Sequence, residues 1–220
     1  MNTSWKSTSH DYTPIIVTAG GEEMARAKRS KTPIVYQIKV TLKGNKPPTW
    51  RRMQVTSGTT LAQLHQILQC VMGWEGYHLY RFEVSGMEYG DPRMLEEMEG
   101  EDARKVTLEA LVQGEKDKFL YEYDFGDSWD HELLVEKVLP YEAGKRYPVC
   151  LTGKRACPPE DCGGIWGYAS FLEALQDPQH PEHEEMVDWV GGAFDPEAFD
   201  LDEVNSALQN LTSPRGRRQR

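Results

Sequence analysis

Basic residues are missing from a long stretch of this 220-residue chain: from Ala156 to Pro214 there is no Lys or Arg, against thirteen Asp and Glu. Neutralising duplex phosphates requires the opposite sign over a broad face, so bulk nucleic-acid binding by the acidic C-terminal half is disfavoured. Long apolar runs are also absent, since no stretch approaches the roughly 20 residues needed to cross a bilayer. Met1 to Pro14 is polar and lacks the apolar centre of a secretory signal. A soluble, cytoplasmic protein without a membrane partner is the expectation. Cysteine is scarce, with four in the chain, and in a reducing compartment free thiols or metal ligation are favoured over disulfides.

What is present suffices for a core. Hydrophobic residues make up 39% of the chain and aromatics 10%, enough for one domain, or one domain with a smaller appendage. The formal net charge of -10 is unevenly spread, because residues 1–155 carry 21 basic and 22 acidic groups and four Arg follow Pro214. The acidic stretch reads first as the solvated faces of amphipathic helices, and second as a surface for a partner.

Residues 1–32 are rich in Ser, Thr, Lys and Gly and are expected to form a flexible arm. Alternation of Ile34, Tyr36, Ile38, Val40 and Leu42 with polar neighbours predicts a half-buried strand, turned at Lys43 to Pro48 into a second strand from Trp50 to Val55. Thr60 with Gln63 has the form of a capping box. Leu61, Leu64, Ile67, Leu68 and Val71 then make an apolar stripe that stops at Gly73, predicting a helix over 60–72. His65 lies off the centre of that stripe and reads as a surface or packing residue. A third strand is expected over Trp74 to Val84, acidic turns over Gly90 to Asp102, and a helical turn at Leu108 to Val112. Phe119 to Phe125 and His131 to Val135 read as the two arms of a hairpin. Beyond Tyr168 the period becomes helical, with stripes at Tyr168 to Leu175, Met186 to Val190 and Leu201 to Leu211.

The expected fold class is α+β: a mixed, largely antiparallel sheet with a β-grasp-like ββαβ start over residues 33–165, and a C-terminal helical subdomain over 166–211 packed on the sheet. Residues 212–220 would be a disordered basic tail.

Two segments concentrate chemistry. The first runs from Tyr123 to His131 and packs Asp124, Asp127, Trp129 and His131 around Gly126. Such a corner needs a residue of positive φ, which Gly126 supplies, and an Asp to accept turn amides. Asp124, Asp127 and His131 could also form an acid/base set, since a carboxylate that holds an imidazole raises its basicity. The second segment, Cys157 to Tyr168, is a Gly, Pro and Cys loop. With Cys150 and His131, Cys157 and Cys162 make a four-ligand candidate set for zinc, although their spacing departs from the close two-residue knuckle. Cys157 is also a candidate nucleophile activated by His131, but the neighbouring Glu160 and Asp161 would raise its pKa. Gly163 to Gly167 precedes a helix, and reads as a tight turn before it reads as an anion site.

Several blocks together carry a family resemblance: Tyr36-Gln37-Ile38-Lys39-Val40, Thr49-Trp50-Arg51-Arg52, Leu64-His65-Gln66-Ile67-Leu68 with Met72-Gly73-Trp74, and His78-Leu79-Tyr80-Arg81-Phe82. The Tyr-Asp-Phe-Gly-Asp-x-Trp-x-His run and Cys-Pro-Pro-Glu-Asp-Cys-Gly-Gly-x-x-Gly-Tyr complete it. From Tyr36 to Leu211 the chain resembles the plasmid pRiA4b ORF-3-like family. The resemblance implies a compact α+β domain found on plasmids and near insertion elements, often labelled a transposon resolvase-like passenger. The folded region offers neither the arginine-ringed hydroxyl nor the basic DNA-binding part that a recombinase requires.

The resemblance also marks Trp50, Arg51, His65, His78, Asp124, Asp127, Trp129, His131, Pro159, Glu160, Asp161 and Gly164 as motif residues, expected to converge on one cleft. Of these, Trp50, Arg51, His78, Trp129, Glu160, Asp161 and Gly164 are the candidate ligand-binding residues. The leading functional expectation is a non-enzymatic accessory or binding protein of mobile elements, with a protein or small-molecule partner. The alternatives are a metal-dependent or His/Asp-based hydrolase-like enzyme using His131, Asp127, Asp124 and Cys157, and a weak DNA-associated protein using its basic tails.

Overall fold

In the computed structural model, the described residues are 34–91, 93 and 100–213. The N-terminal arm, most of the basic tail and residues 92 and 94–99 of the acidic turn lie outside them. The described residues belong to one compact unit bounded by Thr32 and Arg220.

The first three elements follow the sequence pattern closely. Strands β1 (Ile34–Leu42) and β2 (Trp50–Thr56) pair antiparallel, with Ile38 opposite Met53. Helix α1 (Leu61–Met72) opens on the capping box, Thr60 accepting from the Gln63 amide at 3.2 Å and Gln63 returning the bond at 2.9 Å. Gly73 closes it in the left-handed conformation, at φ 89°.

The expected third strand is shorter than its sequence window, because Trp74 to Leu79 form a loop and β3 begins only at Tyr80 (Tyr80–Val84). Trp74 leaves the strand path to donate its indole N–H to the Pro158 carbonyl at 2.9 Å. Strands β4 (Met87–Gly90) and β5 (Glu101–Asp102) and helix α2 (Leu108–Leu111) follow. Next come the hairpin β6 (Lys118–Tyr123) and β7 (Trp129–Pro140), then β8 (Val149–Lys154). Helices α3 (Gly164–Gln176), α4 (His183–Trp189) and α5 (Leu201–Thr212) complete the chain.

The fold is α+β, with an eight-stranded mixed and mostly antiparallel sheet in the order β5-β4-β3-β6-β7-β1-β2-β8; only β4 and β5 pair in parallel. The ββαβ element order holds, while β3 enters the sheet apart from β1, with β6 and β7 between them. Ile38, Val40, Met53, Val55, Phe82, Tyr121 and Leu133 face α1's Leu61, Leu64 and Leu68, and all are buried in one core. On β1 and β2 the alternate residues are polar: Arg52 holds Glu136 through two bonds of 2.6 and 2.8 Å, and Gln37 adds a third at 2.9 Å.

Strand β8 was not expected from the sequence, whose Gly153 and lack of apolar alternation resemble a loop. It forms because β2 offers a free edge and α5 covers the far side. Asn205 of α5 accepts from the Cys150 amide at 2.9 Å and donates to the Cys150 carbonyl at 3.0 Å. Asn205→Ala removes both bonds and leaves two strand-edge groups unpaired, so unfolding free energy should fall by about 1–3 kcal/mol in urea titration. An unchanged midpoint would show that water replaces the clamp.

Candidate functional site

The site is built where three segments meet at one end of the sheet. The first is the β6–β7 corner, where Tyr123 pairs with Trp129 across a turn. Positive φ falls on Asp124 (55°) and Ser128 (51°), not on Gly126 as the sequence suggested. An Asp tolerates this conformation when its own side chain organises the turn. Asp124 Oδ1 accepts from the Gly126 amide at 3.0 Å, and the Asp124 amide donates to Leu79 at 3.0 Å. A Cβ on residue 126 would come within 3.3 Å of Asp124 Oδ1, so Gly126 serves close approach rather than backbone freedom.

The second segment is the loop from Cys157 to Gly164. The Gly163 amide donates to Asp127 Oδ2 at 3.1 Å, and Gly164, at φ 69°, packs directly on the Asp127 carbonyl, where any Cβ would collide. The third segment is the Trp74–His78 loop. Its Glu75 amide donates to Glu160 Oε2 at 2.9 Å, while the Tyr123 hydroxyl donates to the other Glu160 oxygen. Burial and this bond to Glu160 raise the Tyr123 phenol well above its ordinary range. Glu160 thus ties all three segments together, and the backbone N–H of His78 points at the same Tyr123 oxygen at 3.4 Å.

His78 stands over this junction. Its Nε2 is 3.0 Å from Asp161 Oδ1 and 3.6 Å from Asp124 Oδ2. The structure therefore brings together His78, Asp124, Asp127, Glu160, Asp161 and Gly164 of the residues singled out in the sequence.

Others of the expected set lie elsewhere. Trp50 is on the polar side of the sheet between Lys39 and Arg52, whose cationic groups sit 5.1 and 5.2 Å from its ring. Arg51 is buried, its guanidinium spent on the carbonyls of Val71, Trp50 and Lys154 at 2.7, 2.9 and 2.9 Å. Trp129 and His131 point into the core and are 0% exposed. His65 stacks on Tyr80 at 3.7 Å, and its Nδ1 lies 2.8 Å from the Tyr121 hydroxyl.

His131 sits edge-on to Trp74, with ring centroids 5.4 Å apart, and its nitrogens face the backbone of Trp129 and Tyr121 without a well-aligned hydrogen bond. Burial lowers its pKa to about 4, while the backbone of Trp129 and Tyr121 acts in the opposite direction. Trp74 also stacks on Tyr123 at 5.2 Å, so this indole is what connects His131 to the Pro158 loop.

The candidate zinc set of Cys150, Cys157, Cys162 and His131 does not assemble among the described residues. Cys150 belongs to β8, its thiol facing the carbonyls of Arg52 and Thr152 at 3.6 and 3.7 Å. Burial pushes the Cys157 and Cys162 thiols up to about 12, and Asp127 adds to the effect at Cys162. Among the described residues, no three of Cys150, Cys157, Cys162 and His131 bring their ligand atoms within 4.8 Å of one another; His78, Asp124 and Asp161 do.

Sequence reasoning overlooked Trp74, Glu75 and Tyr123 as parts of this junction. A usable signal existed for Tyr123: it falls on the inward face of β6, where a tyrosine instead of phenylalanine implies a buried hydroxyl that needs a partner.

An α+β sheet protein with an interlocked, carboxylate-rich corner is thereby defined. The chain belongs to the plasmid pRiA4b ORF-3-like protein family, which matches residues 34–203. It is 39% identical over 191 residues to the uncharacterized protein y4hQ of Sinorhizobium fredii, a match covering 84% of this chain and 96% of that protein. The crystal structure of a protein of unknown function, MM3350 from Methanosarcina mazei Go1, superposes with a TM-score of 0.69 at 41% identity, covering 78% of this chain and 98% of that one. Among the described residues no helix is long and apolar enough to cross a membrane.

Proposed function

We propose that this protein is a non-enzymatic binding protein, an accessory of mobile elements, whose ligand site is the sheet-end corner and whose ligand is positively charged. One observation carries the reading. Glu75, Asp124, Asp127, Glu160 and Asp161, drawn from three separate segments, meet at this corner, and none forms an ion pair with a Lys or Arg among the described residues. Five carboxylates with no Lys or Arg beside them are costly to bring together, and a cationic ligand offsets that cost. Tyr77, 68% exposed and bonded through its hydroxyl to Glu75, adds an aromatic face beside them.

The hydrolase-like alternative on His131, Asp127 and Cys157 draws no support from this geometry. The His131 imidazole is fully buried and made a weak base by that burial, with a pKa lowered to about 4, and the Cys157 thiol is held at about 12, so neither is poised for attack near pH 7. The basic tails that the DNA-associated alternative needs lie outside the described residues.

The test is amide NMR of the full chain titrated with spermidine and with a triarginine peptide. Shifts are expected at the Glu75, Gly126 and Gly163 amides, and should vanish in a Glu160→Gln, Asp161→Asn double variant. Shifts confined to α4 around Glu184 and Glu185 would move the partner surface to the acidic helices and sink the reading, as would no shifts at all.

A further inference from the structure

We infer that the charge bound at this corner is a first-row divalent cation, held by His78 Nε2 and the carboxylates of Asp124 and Asp161; the inference rests on the corner being the ligand site. Among the described residues these are the only three or more His, Cys, Asp or Glu side chains whose ligand atoms all lie within 4.8 Å of one another. Two ligands each about 2.1 Å from one ion, at tetrahedral or octahedral angles, stand about 3.0–3.4 Å apart. The separations from His78 Nε2 are 3.0 Å, inside that range, and 3.6 Å, just beyond it.

A simple hydrogen-bonded pair accounts for these positions less well. At 3.6 Å the Asp124 contact is too long for a hydrogen bond. Nε2 is closed to solvent, yet makes no aligned hydrogen bond even with the oxygen 3.0 Å away. Asp124 supplies an independent sign. It is only 8% exposed, and its Oδ1 is fixed by the Gly126 amide, while Oδ2 faces His78 and accepts no hydrogen bond from a described residue. A carboxylate oxygen facing a buried imidazole nitrogen, with no proton aligned between them, favours a positive charge close by. Either His78 becomes an imidazolium or all three groups share a cation, and the misaligned Nε2 favours the cation.

The donor set selects the kind of ion. One imidazole with two carboxylates suits Mn²⁺, Fe²⁺ or Zn²⁺ better than the thiolate sites of copper or the all-oxygen sites of Ca²⁺. Three protein ligands leave coordination positions open. Those positions face solvent on the side of Asp161, which is 68% exposed, so a second donor, from water or from a ligand, can complete the sphere.

The experiment titrates metal-free, full-length protein near neutral pH with Mn²⁺, read by electron paramagnetic resonance, and with Zn²⁺, read by calorimetry. One ion per chain is expected, its affinity weakened at least about tenfold by Asp124→Asn and by Asp161→Asn. The Asp161 side chain is exposed, so this variant keeps its fold, and a thermal melt verifies both. Three results would overturn the inference: no saturable binding of either ion below about 1 mM, binding that survives both substitutions, or nitrogen shifts showing His78 doubly protonated at neutral pH with each ion present. If neither ion binds while spermidine still shifts the Gly126 and Gly163 amides, the metal falls and the cationic-ligand reading stands; if both fail, the two fall together.

Discussion

Gly164→Ala should destabilise this protein by on the order of 3 kcal/mol and detach the Cys157–Gly164 loop from the β6–β7 corner. Two separate costs act at the position. The backbone is left-handed at φ 69°, which costs an L residue roughly 1–2 kcal/mol. In addition, a methyl group would be driven into the Asp127 carbonyl, a backbone atom that cannot swing aside, and overpacking of this kind costs about 1–3 kcal/mol. Gly163→Ala separates the two. Its φ is 86°, but a Cβ there meets only the Gly167 Cα at an ordinary 3.4 Å, so it should lose roughly 1–2 kcal/mol from strain alone. Chemical denaturation of the two variants gives the comparison, with the Gly126 amide shift reporting whether the corner stays closed. Equal losses would mean that the loop yields and that contact with Asp127 does not define the corner.

That interlock was only half legible in the chain. Alternation over Ile34 to Leu42 and the Thr60 and Gln63 capping box carry their information within a few residues, so β1 and α1 could be read directly. β8 could not, because it owes its conformation to partners far away in sequence, β2 on one side and Asn205 on the other. The same distinction governs the site. Asp124, Asp127, Glu160 and Asp161 announced themselves as polar groups in turn-forming segments. His131 and Trp129 lie in the same motif, yet strand alternation past the corner carries both inward, where they pack on Trp74. The motif thus spans a boundary, with its turn serving the surface and its strand serving the core. Sequence spacing could not show where that boundary falls, because it depends on Trp74 leaving the sheet to reach Pro158.

The buried half of the motif makes its own measurable claim, through stability against pH. In the unfolded chain His131 takes up a proton around its ordinary 6.5; in the folded protein burial delays this to about 4. Between those values the unfolded state binds more protons than the native state, so unfolding free energy falls as pH falls. The contribution is fully present above pH 6.5, declines through the interval, and is lost once pH drops below about 4. At roughly 1.4 kcal/mol per pH unit, the interval from 6.5 down to about 4 corresponds to on the order of 3 to 4 kcal/mol. Carboxylates with lowered pKa values act further down the scale. Glu136 is held low by its hydrogen bond from Arg52, and Asp102 is brought to about 2 by its bond from Arg104. Both persist in a His131→Leu variant, so the difference between the two stability profiles isolates the imidazole. Urea titrations from pH 7 down to 4.5 should show the wild-type protein losing stability steeply while His131→Leu stays nearly flat. Parallel profiles would mean that His131 is protonated in the native core, and its place against Trp74 would then need a buried counter-charge that no described residue supplies.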